Sequence, residues 1–123
     1  MRQPSTTLTG AELEIMHVVW GLEQATVRDV YEALRERRKV AYTSVMTVMK
    51  ILEQKGYLKK TQVERAYVYR AAQPQRQVIG DMVKDFVNRV FNGSAKPLLV
   101  HLVEENRLSR EEMEEIARLR RKA

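Results

Sequence analysis

The apolar residues of this chain keep a helical period up to Gly56 and an alternating period from Tyr57 to Arg70. That single change of period restricts the fold more than any other feature of the sequence. Leu13, Met16 and Trp20, with Ile15, Val19 and Leu22 alongside, mark a first helix. Thr9 and Glu12 stand at capping-box spacing before it, and Gly21 is expected to weaken it just after Trp20. Thr26, followed three residues later by Asp29, opens a second helix whose Val27, Val30, Tyr31 and Leu34 fall at i, i+3, i+4 and i+7. This helix fades into the basic run Arg35 to Lys39. A third helix spans Tyr42 or Thr43 to Gln54 and stops at Gly56, a residue suited to a left-handed cap. Residues 57–61 and 65–70 are then rich in aromatic and branched side chains and read as two strands joined across Gln62-Val63-Glu64. Two short strands are not stable alone in water, so they must lie against the helices. Three helices followed by a hairpin is the winged helix-turn-helix order.

The third helix carries the functional signal. At about 100° per residue, Val45, Val48, Met49 and Leu52 share one side and Thr43, Thr47, Lys50 and Gln54 the other. A solvated helix face ordinarily pairs glutamates with lysines, but this arc carries no acid. Short polar side chains of this kind donate to and accept from base edges, and a threonine methyl can meet a thymine methyl. The net charge of +6 is unevenly spread. Between Arg35 and Lys60 lie eight basic residues, opposed by Glu36 and Glu53. Such a concentration suits a polyanion, because neutralising phosphates releases condensed counterions. Thr43, Ser44, Thr47 and Lys50 are therefore the candidate base readers, with Lys59, Lys60 and Arg65 as candidate phosphate ligands.

Past Gln73-Pro74-Gln75 the pattern becomes helical again. Residues 77–91 form a helix with Val78, Ile79, Met82, Val83, Phe86, Val90 and Phe91, an apolar stripe too wide for one small neighbour. Asn92-Gly93-Ser94 breaks it, and a further helix covers residues 96–105 with Leu98, Leu99 and Leu102, Pro97 falling in its first turn. Ser109 and Glu112 form another capping box ahead of Met113, Ile116 and Leu119. Glutamates crowd the start of that last helix and Arg118, Arg120, Arg121 and Lys122 its end, which matches the helix dipole. These helices hold more apolar surface than residues 1–74 can cover, so dimerisation through residues 75–123 is the expectation. The expected fold is mainly α with a small β-hairpin: a winged-helix DNA-binding domain over 1–74 and a helical dimerisation region over 75–123.

Other functions find little support. The chain has no cysteine, and His17 and His101 lie far apart, so neither a disulfide nor a metal centre is expected. No cofactor is implied. An enzyme needs a nucleophile with its base, a carboxylate pair or a metal cluster. Glu111, Glu112, Glu114 and Glu115 read instead as the solvated start of a helix, and His17 as an ordinary structural histidine. The first ten residues carry no apolar segment and no run is long enough to span a membrane, so a cytoplasmic protein without membrane insertion is expected. A winged helix that binds another protein is the alternative, and the basic surface of the third helix weighs against it.

Four stretches together resemble the BlaI/MecI family of penicillinase repressors. They are Ala11 to Met16 running on to Trp20, Val40-Ala41-Tyr42-Thr43-Ser44-Val45-Met46-Thr47-Val48-Met49, Leu52 with Lys55-Gly56, and Arg65-Ala66-Tyr67-Val68-Tyr69. The resemblance implies a homodimer that binds inverted-repeat double-stranded DNA, commonly with TACA and TGTA half-sites, and blocks transcription of β-lactamase or penicillin-binding protein genes. It also implies release by a membrane sensor-protease system that triggers cleavage in the C-terminal helices. A copper-responsive branch relies on C-terminal cysteines, which this sequence lacks. The chain departs from the family pattern twice. Val63-Glu64 stands where many members have an Asp-Gly-like turn, and His101-Leu102 stands where the cleaved bond is typically Asn-Phe.

Overall fold

Each of the first two helices begins where a threonine can satisfy the free N–H groups of its first turn. In the computed structural model, which describes residues 8–122, helix α1 (Gly10–Leu22) is capped by Thr9 and helix α2 (Val27–Arg35) by Thr26. Both caps are reciprocal. The Glu12 N–H donates to Thr9 Oγ1 at 3.1 Å while the Thr9 N–H donates to Glu12 Oε1 at 2.8 Å, and Thr26 and Asp29 repeat the exchange at 3.1 and 3.0 Å. Gly21 does not end α1, which continues to Leu22. Helix α3 (Tyr42–Gln54) closes as the sequence implies. Gly56 adopts φ 89°, and the Tyr57 and Gly56 N–H groups return to the carbonyls of Leu52 and Glu53.

The strands form a sheet of three, not an isolated hairpin. Strands β2 (Leu58–Val63) and β3 (Ala66–Ala71) pair antiparallel, and a two-residue strand β1 (Gln24–Ala25) adds to the other side of β3, giving the order β1-β3-β2. Two residues offer no alternation to read, which is why β1 was not expected. The hairpin turn is also tighter than residues 62–64 implied: Val63 pairs with Ala66, leaving Glu64-Arg65 as the connection.

Core residues come from every one of these elements. Ile15, Met16 and Val19 of α1 meet Val30 and Leu34 of α2, Val45, Met49 and Leu52 of α3, and Tyr57, Leu58 and Tyr69 of the sheet. Helix α4 (Gln75–Val90) adds Val78, with Met82 half-buried against the same core. The Trp20 indole N–H ties the segment before α4 to α1 by donating to the Gln73 carbonyl at 3.1 Å. One compact unit ends at Met82, and a second begins at Val83. The second holds the rest of α4, helix α5 (Lys96–Glu104) and helix α6 (Arg110–Lys122), whose start is capped by the reciprocal Ser109–Glu112 exchange at 2.9 and 3.0 Å. Among its described residues none is buried, and Phe86 and Phe91 meet edge to face at 5.8 Å.

Candidate nucleic-acid interface

The outward surface of α3 follows from what its inward surface must do. Val45, Met49 and Leu52 are driven into the core, with Val48 half-buried beside them. Thr43, Thr47, Lys50 and Gln54 are therefore turned to solvent on the opposite arc, and Ser44 is exposed at its margin. The Thr47 hydroxyl donates to the Thr43 carbonyl at 2.9 Å. Its proton is thus committed, leaving Thr47 an oxygen that accepts and a methyl that makes apolar contact. Unlike α1 and α2, α3 has no side-chain cap, because Ala41 occupies the position that Thr9 and Thr26 fill elsewhere. Its first turn also lacks an acidic residue, so the positive end of the helix is left open to an anion.

The basic cluster divides into paired and unpaired members. Lys55 lies against Glu12, with Nζ 2.9 Å from Oε2 and 3.0 Å from Oε1. Burial raises the Glu12 pKa, but the Thr9 backbone N–H and Lys55 outweigh it, and the carboxyl is held below its usual range. Arg38 grips Glu14 through Nη2 at 2.7 Å and through Nε at 3.2 Å, and this hydrogen bonding lowers the Glu14 pKa. Arg35 pairs with Glu32 at 3.3 Å, and Lys60 with Glu53 at 3.5 Å. Among the described residues this leaves Arg37, Lys39, Lys50 and Lys59 without a carboxylate at ion-pair distance. All four are exposed, and they belong to α3, the loop that leads into it, and β2. Lys55 and Arg38, which contribute to the charge run in sequence, instead fasten α1 to the end of α3 and to the loop ahead of it.

The sheet separates residues that adjoin in sequence. Lys59 pairs in register with Arg70, and Lys60 with the buried Tyr69. Successive residues of a strand point to opposite faces, so Lys59 and Lys60 cannot act on the same surface. Lys60 lies 4.6 Å from the centre of the Tyr67 ring as well as beside Glu53, on the Tyr69 face. Lys59 shares its face with Arg70, a cation that sequence reasoning passed over because it sits inside an aromatic strand run. Arg70 is held by Gln24 of β1, whose Oε1 accepts from Nη2 at 3.0 Å, so only the unexpected strand reveals it. Arg65 lies at the exposed hairpin tip.

Among the described residues no helix is long and apolar enough to cross a membrane. A family model described as penicillinase repressor matches residues 8–122. The chain is 37% identical over 101 residues to the transcriptional regulator BlaI of Mycobacterium tuberculosis, covering 80% of this chain and 73% of that protein. It is 24% identical over 109 residues to the methicillin resistance regulatory protein MecI of Mammaliicoccus sciuri, covering 89% of each. The fold is similar to that of the monomeric form of Bacillus licheniformis BlaI solved in complex with the blaP half-operator. The TM-score there is 0.52 at 24% identity, over 62% of this chain and 92% of that one. With a family match over the whole of its described length and a winged-helix unit of the same architecture, the chain belongs to the penicillinase repressor family, a family of transcriptional repressors and not of enzymes.

Proposed function

We propose that this chain is a homodimeric repressor that reads an inverted-repeat operator in double-stranded DNA, with α3 in the major groove of each half-site. The observation that carries the reading is the acid-free outward arc of α3, with exposed Thr43, Thr47, Lys50 and Gln54 beside an uncapped helix start. Thr43, Ser44, Thr47 and Lys50 face the base edges. Lys59 and Arg65 meet phosphates, whereas Lys60, expected from the sequence to join them, lies on the opposite face of β2 beside Glu53 and is left out of that contact. Family membership supports the repressor role, and the half-operator bound by the B. licheniformis relative supports DNA as the partner. The name of the MecI relative favours β-lactam resistance or related genes as the regulated set.

Two copies are needed to read an inverted repeat, and the segment 75–123 supplies their contact. Val83, Phe86, Val90 and Leu99 are exposed there, with Phe91, Leu98 and Leu102 beside them in sequence. Val78, expected from the sequence to join this set, is buried in the core of the reader instead, Met82 packs on that core, and Ile79 is half-buried next to Val78. Release by a membrane sensor-protease system acts at or near His101-Leu102, in α5. No residue of that helix is buried, so local opening to admit a protease costs little.

Titration of operator-length DNA at several salt concentrations tests the reading. A dimer that neutralises ~6 phosphates shows log K falling with a slope of about −5 against log salt. Thr47→Ala or Lys50→Ala lowers discrimination between operator and random DNA by roughly 1–3 kcal/mol per lost base contact. Lys59→Ala weakens both DNAs alike. A flat salt response, or equal loss on both DNAs for the α3 variants, overturns it.

A further inference from the structure

Three apolar side chains of α3 are exposed: Tyr42, Met46 and Ile51. Tyr42 has a packing role, since its ring meets that of Tyr31 edge to face at 5.5 Å. Ile51 lies on the flank of the arc, next to the buried Leu52. Met46 is the most exposed of the three, at 47%, and does not pack on the core. In helical projection it lies one turn from Thr43 (i−3) and from Lys50 (i+4), at the edge of the strip of candidate readers, about 40° beyond Lys50. At the edge of this polar strip, about half of the methionine is left in water. Its long, flexible thioether side chain does fit an apolar target beyond the helix surface. The major-groove edge of DNA offers one apolar group, the 5-methyl of thymine.

We propose that Met46 is a specificity-determining residue that contacts a thymine 5-methyl in each half-site. The proposal rests on the DNA-reading role of α3 and adds one base preference to it. Duplexes selected from random DNA by the full-length protein provide the probe, and each thymine is then replaced in turn by deoxyuridine, which lacks only that methyl. At one position per half-site the wild-type protein is expected to lose about fourfold in affinity, the scale of one buried methyl group. Replacement in both half-sites is expected to cost about 15-fold when the two losses multiply. Met46→Ala binds the thymine and deoxyuridine duplexes equally at that position. Thr47→Ser, which drops the threonine methyl but keeps a hydroxyl for the Thr43 carbonyl, still tells them apart. Met46→Gln, polar and of similar length, gives a second variant at the same exposed site and is expected to lose the thymine preference too. The inference is overturned if deoxyuridine costs Met46→Ala as much as it costs the wild type, or if Thr47→Ser abolishes the difference. It is overturned alone if the wild type binds selected DNA yet no thymine methyl matters. Absence of any salt-dependent DNA binding overturns the proposed function with it.

Discussion

Glu12 belongs to two structures at once. As the third residue of α1 it closes the capping box with Thr9, and as a buried carboxylate it receives Lys55 from the end of α3. The first role was legible in the sequence because a capping box is a spacing of three. The second was not, since Lys55 is 43 positions away and reads in sequence as one more member of a basic run. The two roles separate by substitution. Glu12→Gln keeps an acceptor for the Thr9 N–H but removes the charge opposite Lys55, and is expected to cost about 1 kcal/mol, because Lys55 keeps partial access to water. Glu12→Ala loses the cap as well and is expected to cost roughly 2–3 kcal/mol. The pKa of Glu12 is lowered on folding, so its stabilisation is fully present above the ordinary carboxylate value of 4.5 and is lost as pH falls through the lower folded value. Urea unfolding from neutral to acid pH is therefore expected to show the gap between wild type and Glu12→Gln closing on the acid side. A gap that does not change with pH would mean that the ion pair contributes nothing.

At the scale of elements, legibility followed the length of the repeating pattern. The helices α1, α2 and α3 each hold at least two turns of apolar stripe and a recognisable start or stop, and they form where the spacing indicates. Strand β1 has two residues and no period, and only pairing with Arg70 and Tyr69 across the fold creates it. The hairpin was legible as a hairpin but not in its register. Val63 alternates plausibly in either arrangement, and nothing local tells Glu64 to take the left-handed φ of 58° that the two-residue connection requires. That conformation costs a residue with a Cβ about 1–2 kcal/mol, against about 0.5–1 kcal/mol of extra backbone entropy lost by a glycine. Glu64→Gly is therefore expected to stabilise the protein by roughly 0.5–1 kcal/mol, seen as a higher urea midpoint at unchanged slope. A lower midpoint would show that the Glu64 side chain makes a contact worth more than the strain.

For the whole molecule, the boundary between reader and dimerisation region decides which fragment can be tested. The sequence places it after Pro74, where the composition changes. Val78, four residues later, is 2% exposed and sits in the same core as α1 and α3, and the first compact unit runs on to Met82. A fragment ending at residue 74 loses that side chain, whose burial is worth roughly 1.5–3 kcal/mol, a large share of the stability of so small a domain. A fragment ending at Met82 keeps it. The shorter fragment is expected to unfold at lower urea than the longer one, and the longer to remain a folded monomer. From Val83 onward no described side chain is buried, while Phe86, Val90, Ile116 and Leu119 are exposed, so this segment has apolar surface to offer but no core to lose. If a second copy covers that surface, the full chain sediments as a dimer and binds two half-sites as one event. The 1–82 fragment then binds each half-site independently and loses about 10²-fold or more in apparent affinity, because the effective concentration supplied by the first half-site is gone. Its affinity for an isolated half-site should stay close to that of the full chain, since α3 and the hairpin are intact. Sedimentation of both proteins beside titrations of the full operator and of one half-site separates the outcomes. A monomeric full chain, or a 1–82 fragment that holds the full operator as tightly as the full chain does, would exclude dimerisation through the C-terminal helices.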